Sequence, residues 1–179
     1  ATIRRQRQMC IRDSIIDRGV DEPTRIAVVP FAIDAATAAD ATRLRDLANP
    51  ADIVAFDLAR SGQFDPMAKE NMLSYPSDRS GVFFRDWRIL KTAYLVIGKV
   101  SAIGLDSLTV SFELYDVAGR RQLQSREYRI QLEQWRDAAH QIADIIYTEI
   151  TGVRGAFSSK IMYAVSYTHL RAHETSENR

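Results

Sequence analysis

The chain has 179 residues, 46% of them hydrophobic and 26% charged, with a formal net charge of +1. That length holds one domain with a real core, or one domain plus pieces of another, and so small a net charge argues for no particular partner. No apolar run is long enough to span a bilayer, and a single cysteine, Cys10, excludes an intrachain disulfide framework and a cysteine-based zinc site.

The charge is unevenly spread. Arg4, Arg5, Arg7 and Arg12 crowd the first thirteen residues against Asp13 alone, which leaves that head at +3. The last fourteen residues balance at zero, so the body is at about −2. Neither end has helical or strand periodicity, and the first eight residues are basic and polar with no apolar signal core. Residues 1–13 and 167–179 resemble translated sequencing adapter, and on that reading Cys10, His169 and His173 are artefacts.

Residues 14–24 form an extended arm broken at Glu22-Pro23. The run Arg25-Ile26-Ala27-Val28-Val29-Pro30-Phe31 predicts a strand covered on both faces and ended by Pro30. A nucleotide-binding α/β domain needs a glycine-rich phosphate loop after its first strand. Here Ala32-Ile33-Asp34-Ala35-Ala36-Thr37 follows, without a glycine. Residues 35–47 are alanine-rich and read as helix or long loop.

Asn49-Pro50 is a helix start, a capping residue followed by proline at the first helical position. Ile53, Val54, Phe56 and Leu58 supply its expected apolar arc, and Gly62 ends it. Asp57 falls inside that arc. A carboxylate there needs a partner, and a backbone donor or an arginine such as Arg154 is expected. Phe64-Asp65-Pro66-Met67 predicts a short edge strand, residues 74–81 a turn-rich loop, and Phe84 to Leu90 two turns of helix with Trp87 as a core anchor.

A near-continuous apolar run, Tyr94 to Val100, predicts a central strand. Val110, Phe112 and Leu114, then Tyr128, Ile130 and Leu132, alternate with polar residues, so a meander of strands follows. The long helix comes last. Trp135, Ala139, Ile142, Ile146 and Ile150 share one face, Arg136, Asp137, Gln141, Asp144 and Thr148 the solvated side, and Gly152 is placed as a left-handed cap. The expected fold is α/β (α+β): a mixed sheet of about five strands with two main helices packed on it, one face being mainly helix-covered.

Little in this pattern announces chemistry. His140 lies four residues before Asp144 and is a weak candidate for half of a metal pair. Paired carboxylates such as Asp52 and Asp57 are common on helices and carry little weight, and no G-x-S-x-G elbow is present. Basic and aromatic residues do not interleave as a nucleic-acid platform requires. No catalytic residue, metal ligand or cofactor is assigned.

Five stretches carry a family resemblance. They are Arg25 to Phe31; Asp57-Leu58-Ala59-Arg60-Ser61-Gly62-Gln63-Phe64; Tyr94-Leu95-Val96-Ile97-Gly98; Phe112-Glu113-Leu114-Tyr115-Asp116-Val117; and the junction Ile150-Thr151-Gly152-Val153-Arg154-Gly155-Ala156-Phe157 continuing to Tyr163. In this order and spacing they resemble the amino-terminal domain of the TolB family of the Tol-Pal system. Residues 35–47 depart from the family, being longer and poorer in glycine. The resemblance implies a non-enzymatic periplasmic scaffold linking TolA to the lipoprotein Pal during cell division, with no nucleic acid, no direct membrane insertion and no cofactor. It divides the body into an arm (14–24), the α/β domain (25–153) and the linker and first strand of a truncated β-propeller (154–166). It places TolA binding on Ile15, Ile16, Asp17, Gly19 and Val20, and Pal binding on the missing propeller. Structural roles are expected for Asp57, Trp87, Trp135, Gly152 and Arg154. The alternative is a free-standing α/β domain that binds a small ligand or RNA.

Overall fold

A computed structural model describes residues 22–34, 44, 47–103 and 106–159. The terminal head and tail, the arm residues 14–21, and most of the alanine-rich stretch therefore lie outside the described residues. Among the described residues, six strands form one mixed sheet: β1 (Thr24–Val28), β2 (Ala32–Asp34), β3 (Phe64–Pro66), β4 (Tyr94–Ala102), β5 (Ser107–Asp116) and β6 (Arg121–Gln131). Among the described residues, the α-helices with defined bounds are α1 (Pro50–Arg60), α2 (Phe84–Ile89) and α3 (Trp135–Thr151). The main order is β3-β1-β4-β5-β6, with β2 also on β4. β1 is parallel to β3 and β4, β2 is parallel to β4, and the β4-β5-β6 meander is antiparallel.

The sixth strand, β2, is one that the sequence pattern does not separate. Val28 pairs with Val96 and Ala32 with Lys99, so this side of the ladder spends one more residue than β4 over the same stretch. An extra residue of this kind is a bulge. Pro30, which has no N–H to offer a ladder, lies within it. Pro30 thus ends β1 as expected, but the chain resumes pairing two residues later.

Asn49 closes the gap. Its Oδ1 accepts from the Phe31 N–H at 3.0 Å, and its Nδ2 donates to the Phe31 carbonyl at 3.1 Å. The same Oδ1 accepts from the Ala51 N–H at 3.0 Å, so the residue that mends the bulge also caps α1. The next carbonyl upstream, that of Ala48, accepts from the Trp135 indole N–H at 2.8 Å and ties in the first residue of α3.

Side-chain alternation sends β1, β4 and β5 residues to two cores. Ile26, Val28, Val96, Val100, Val110, Phe112 and Leu114 face α1 and α3, where Val54, Leu58, Ile142 and Ile146 meet them. Ala27, Val29, Leu95, Ile97 and Tyr115 face the other way and are covered by Met72, Val82 and Trp87. The two main helices thus cover one face, as expected, and the 67–93 segment supplies a second layer on the other. Gly98 faces the helical side under Phe31, and a Cβ there would come within 2.6 Å of three atoms of that ring. Phe56 also departs from expectation at 62% exposed. It lies about 200° round the helix from Val54 at 100° per residue, and Arg60 stacks over its ring. The apolar arc is instead Ala51, Val54 and Leu58. The far edge strand, β6, stays largely solvated, with Arg121, Arg126 and Glu127 exposed along it.

Three outcomes follow from this packing. Asn49→Ala removes a helix cap and two further backbone links, and should cost about 2–3 kcal/mol in chemical denaturation. Gly98→Ala should cost about 1–3 kcal/mol by overpacking. Combined with Phe31→Leu, the loss should be less than the sum of the two, because both changes act on one contact. Burial, then the hydrogen bond and charge of Glu113, push the Tyr115 hydroxyl above its ordinary range. A raised folded value means that the stabilisation is intact below the unfolded tyrosine value of about 10 and is lost as pH rises above it. Melting temperatures above pH ~10 should therefore fall more steeply for the wild type than for Tyr115→Phe.

Candidate interaction site at the junction

Two polar constructions stand out on the helical side, and both involve α3. The first joins it to α1. Asp57 is buried at 3% exposure, and its carboxylate accepts from His140 Nδ1 at 2.5 Å. The expected link to Arg154 is not formed, and Arg154 is exposed at the far end of α3. A histidine on the neighbouring helix is an economical partner, because its compact ring reaches the carboxylate from the half-buried seam and satisfies it there. The two residues are 83 positions apart, so nothing local in the sequence pairs them. His140 is thus committed to Asp57 and not to Asp144. Among the described residues, no group of three His, Cys, Asp or Glu side chains could hold a metal ion.

The second construction is at the end of α3. Gly152 adopts φ +73° and its N–H reaches the Thr148 carbonyl at 2.9 Å, a left-handed stop. The chain then folds back instead of continuing outward. Thr148 Oγ1 accepts from the Gly155 N–H at 3.1 Å. The Asp144 carboxylate accepts from the Phe157 N–H at 2.6 Å and the Ser158 N–H at 3.0 Å, and also from the Ser158 hydroxyl. Phe157 lays its ring edge-on against Tyr147, which in turn packs edge-on against Phe64 of β3. Residues 154–159 therefore form a turn, not a strand. The strand expected over the following residues lies outside those described.

Between this turn, α3 and β6 lies an open cleft of about 610 Å³. Arg126, Gln141, Glu149 and Arg154 contribute its charged and amide groups. Both signs of charge line it, and Asp144 among them is already occupied by backbone donors. Such a surface suits a polar protein contact better than a small anion or a reactive substrate.

The remaining expected residues divide between the cores and the undescribed ends. Trp87 is buried in the second core and Trp135 in the first, the latter with its indole N–H bonded. Ile15, Ile16, Asp17, Gly19 and Val20 lie outside the described residues. Asp144 escaped the sequence reading because its spacing puts it on the solvated side of α3. The only local hint is the donor-rich Gly155-Ala156-Phe157-Ser158 that follows.

Comparison with known proteins now bears on these features. A profile of the TolB amino-terminal domain matches residues 15–123. The Tol-Pal system protein TolB of Marinomonas sp. is 41% identical over 152 residues, covering 84% of this chain and 34% of that protein. TolB of Nitrosococcus oceani is 39% identical over 148 residues, covering 83% of this chain and 32% of its own length. The crystal structure of TolB from Acinetobacter baumannii superposes with a TM-score of 0.63 at 29% identity, over 77% of this chain and 31% of that one. The chain thus spans about a third of the length of the relatives it matches. With both sequence and fold in agreement over the α/β domain, the chain belongs to the TolB family of Tol-Pal system proteins.

Proposed function

We propose that the domain is a non-catalytic protein–protein interaction module of the Tol-Pal envelope system, working in the periplasm. On this reading the arm, through Ile15, Ile16, Asp17, Gly19 and Val20, engages the C-terminal domain of TolA. Pal is reached only through a propeller that begins within residues 154–166, and the two contacts together link TolA to Pal during division. One observation carries the proposal: the family match begins at residue 15, so the arm lies inside the matched region and not ahead of it. The architecture supports it. β1 starts at Thr24, directly after Pro23, so the arm joins a stiff, doubly covered sheet at the start of one of its inner strands. Presenting an extended segment from a rigid scaffold limits the ordering entropy lost on binding.

Among the described residues, no helix is long and apolar enough to cross a membrane. The metal pair weighed at His140 also has a competing explanation, since that ring is held by Asp57.

Isothermal titration of this chain with purified TolA C-terminal domain tests the assignment. Saturable binding is expected, with Ile16→Ser and Asp17→Ala each weakening it about tenfold or more, which is ~1.4 kcal/mol. Absence of binding, or binding indifferent to both substitutions, would remove the arm from the mechanism.

A further inference from the structure

The turn after α3 is more heavily bonded than a passive linker needs to be. A flexible connection would leave its N–H groups to water. Here the N–H groups of Gly155, Phe157 and Ser158 are all taken by two side chains of the preceding helix, Thr148 and Asp144. Those side chains are four residues apart, so they sit one turn above the other on the same face of α3. Thr148 Oγ1 also donates to the Asp144 carbonyl at 2.6 Å, which fixes its rotamer and points its lone pair at the returning chain.

Two glycines permit the return. Gly152 supplies the positive φ that reverses direction. Gly155 supplies space, since a Cβ there would lie 2.6 Å from Asp144 Cα and 2.5 Å from its Oδ1. The returning backbone therefore lies flat against the helix at the level of Asp144, and no side chain larger than hydrogen fits between them. Beyond it, Phe157 is held on Tyr147 with ring centroids 5.6 Å apart. An apolar clasp and a carboxylate clasp thus act on adjacent residues.

We infer that Asp144 is the latch of a rigid elbow, with Gly152 and Gly155 as its two bending points, and that this latch fixes the direction in which the chain leaves the domain relative to α3. Residues 155–159 then move with α3 as one body while the latch is closed, and swing about residues 152–155 when it opens. Asp144 acts here as a positioning residue. A carboxylate suits the role because each of its oxygens takes donors from a different residue, Phe157 on one and Ser158 on the other, so the plane of the turn is set as well as its distance. The inference stands on the turn itself and is independent of whether the arm binds TolA.

Residual dipolar couplings and amide exchange, measured on this chain in solution, test the latch. In the wild type, the N–H couplings of residues 155–158 should fit the alignment of α3. The Phe157 and Ser158 amides should be protected. In Asp144→Ala, those couplings should collapse toward zero and exchange at both amides should rise about tenfold or more. Amides in β4 and within α3 around Ile142 should be unchanged. Asp144→Asn retains a single acceptor oxygen, so it should keep one of the two amides protected and release the other, a split that general destabilisation would not produce. Gly155→Ala should free the turn although the carboxylate remains. Averaged couplings in the wild type would overturn the inference, as would an Asp144→Ala variant whose couplings and exchange match the wild type, or a Gly155→Ala variant with the turn still in place.

Discussion

Residues Ala48 and Asn49 are where the parts of this domain meet. One side chain and one carbonyl fasten the bulge between β1 and β2, the start of α1 and the start of α3. The constraint behind this is the proline in the bulge. A strand that loses its ladder in a buried place leaves a donor and an acceptor without partners, and that cost is large unless something supplies both. An amide side chain is suited to the task, offering one of each from a single plane. Because the same oxygen also takes a helix N–H, the position of α1 over the sheet is tied to the position of the break.

Around this node, β4 is the element on which the two layers depend. It is flanked on one side by β1 and β2 in succession and on the other by β5, and its residues alternate between the helical core and the strap of residues 67–93. Phe31 fills the space above the bulge, and only a residue without a Cβ can lie beneath it. The break in β1 therefore also dictates the glycine in β4. Tyr115 shows the opposite arrangement on the second face, where Phe84 closes edge-on over its ring and Glu113 accepts its hydroxyl proton.

Elements whose signals are local were legible in the sequence. Asn49-Pro50 marked the start of α1, the spacing of Trp135, Ala139, Ile142 and Ile146 gave the buried face of α3, and Gly152 gave its stop. The β4-β5-β6 meander is legible because β4, covered on both faces, is near-continuously apolar, whereas β6, open on one face, alternates. What escaped was set by distant contacts. β2 is three residues long and is a strand only because β4 lies beside it. Phe56 belongs with the core by composition, whereas its angle on the helix turns it outward. For Asp57 a backbone donor or an arginine is the obvious remedy, but the partner is a histidine on a helix that is neighbouring only after folding. Asp144 looked like an ordinary solvated residue, since a side chain that bonds backbone downstream leaves no periodic trace.

One edge of the sheet has a bearing on how the molecule behaves in company. β6 runs for eleven residues with β5 on one side and no strand on the other among the described residues. At about 3.3 Å per residue this is a long template for a second chain. Its side chains answer that hazard: Arg121, Arg126 and Arg129 outnumber Glu127, so two copies approaching edge to edge would bring like charges together. Such repulsion reaches only about 8 Å at physiological ionic strength. It therefore acts at the last step of approach, when backbone groups would otherwise begin to pair.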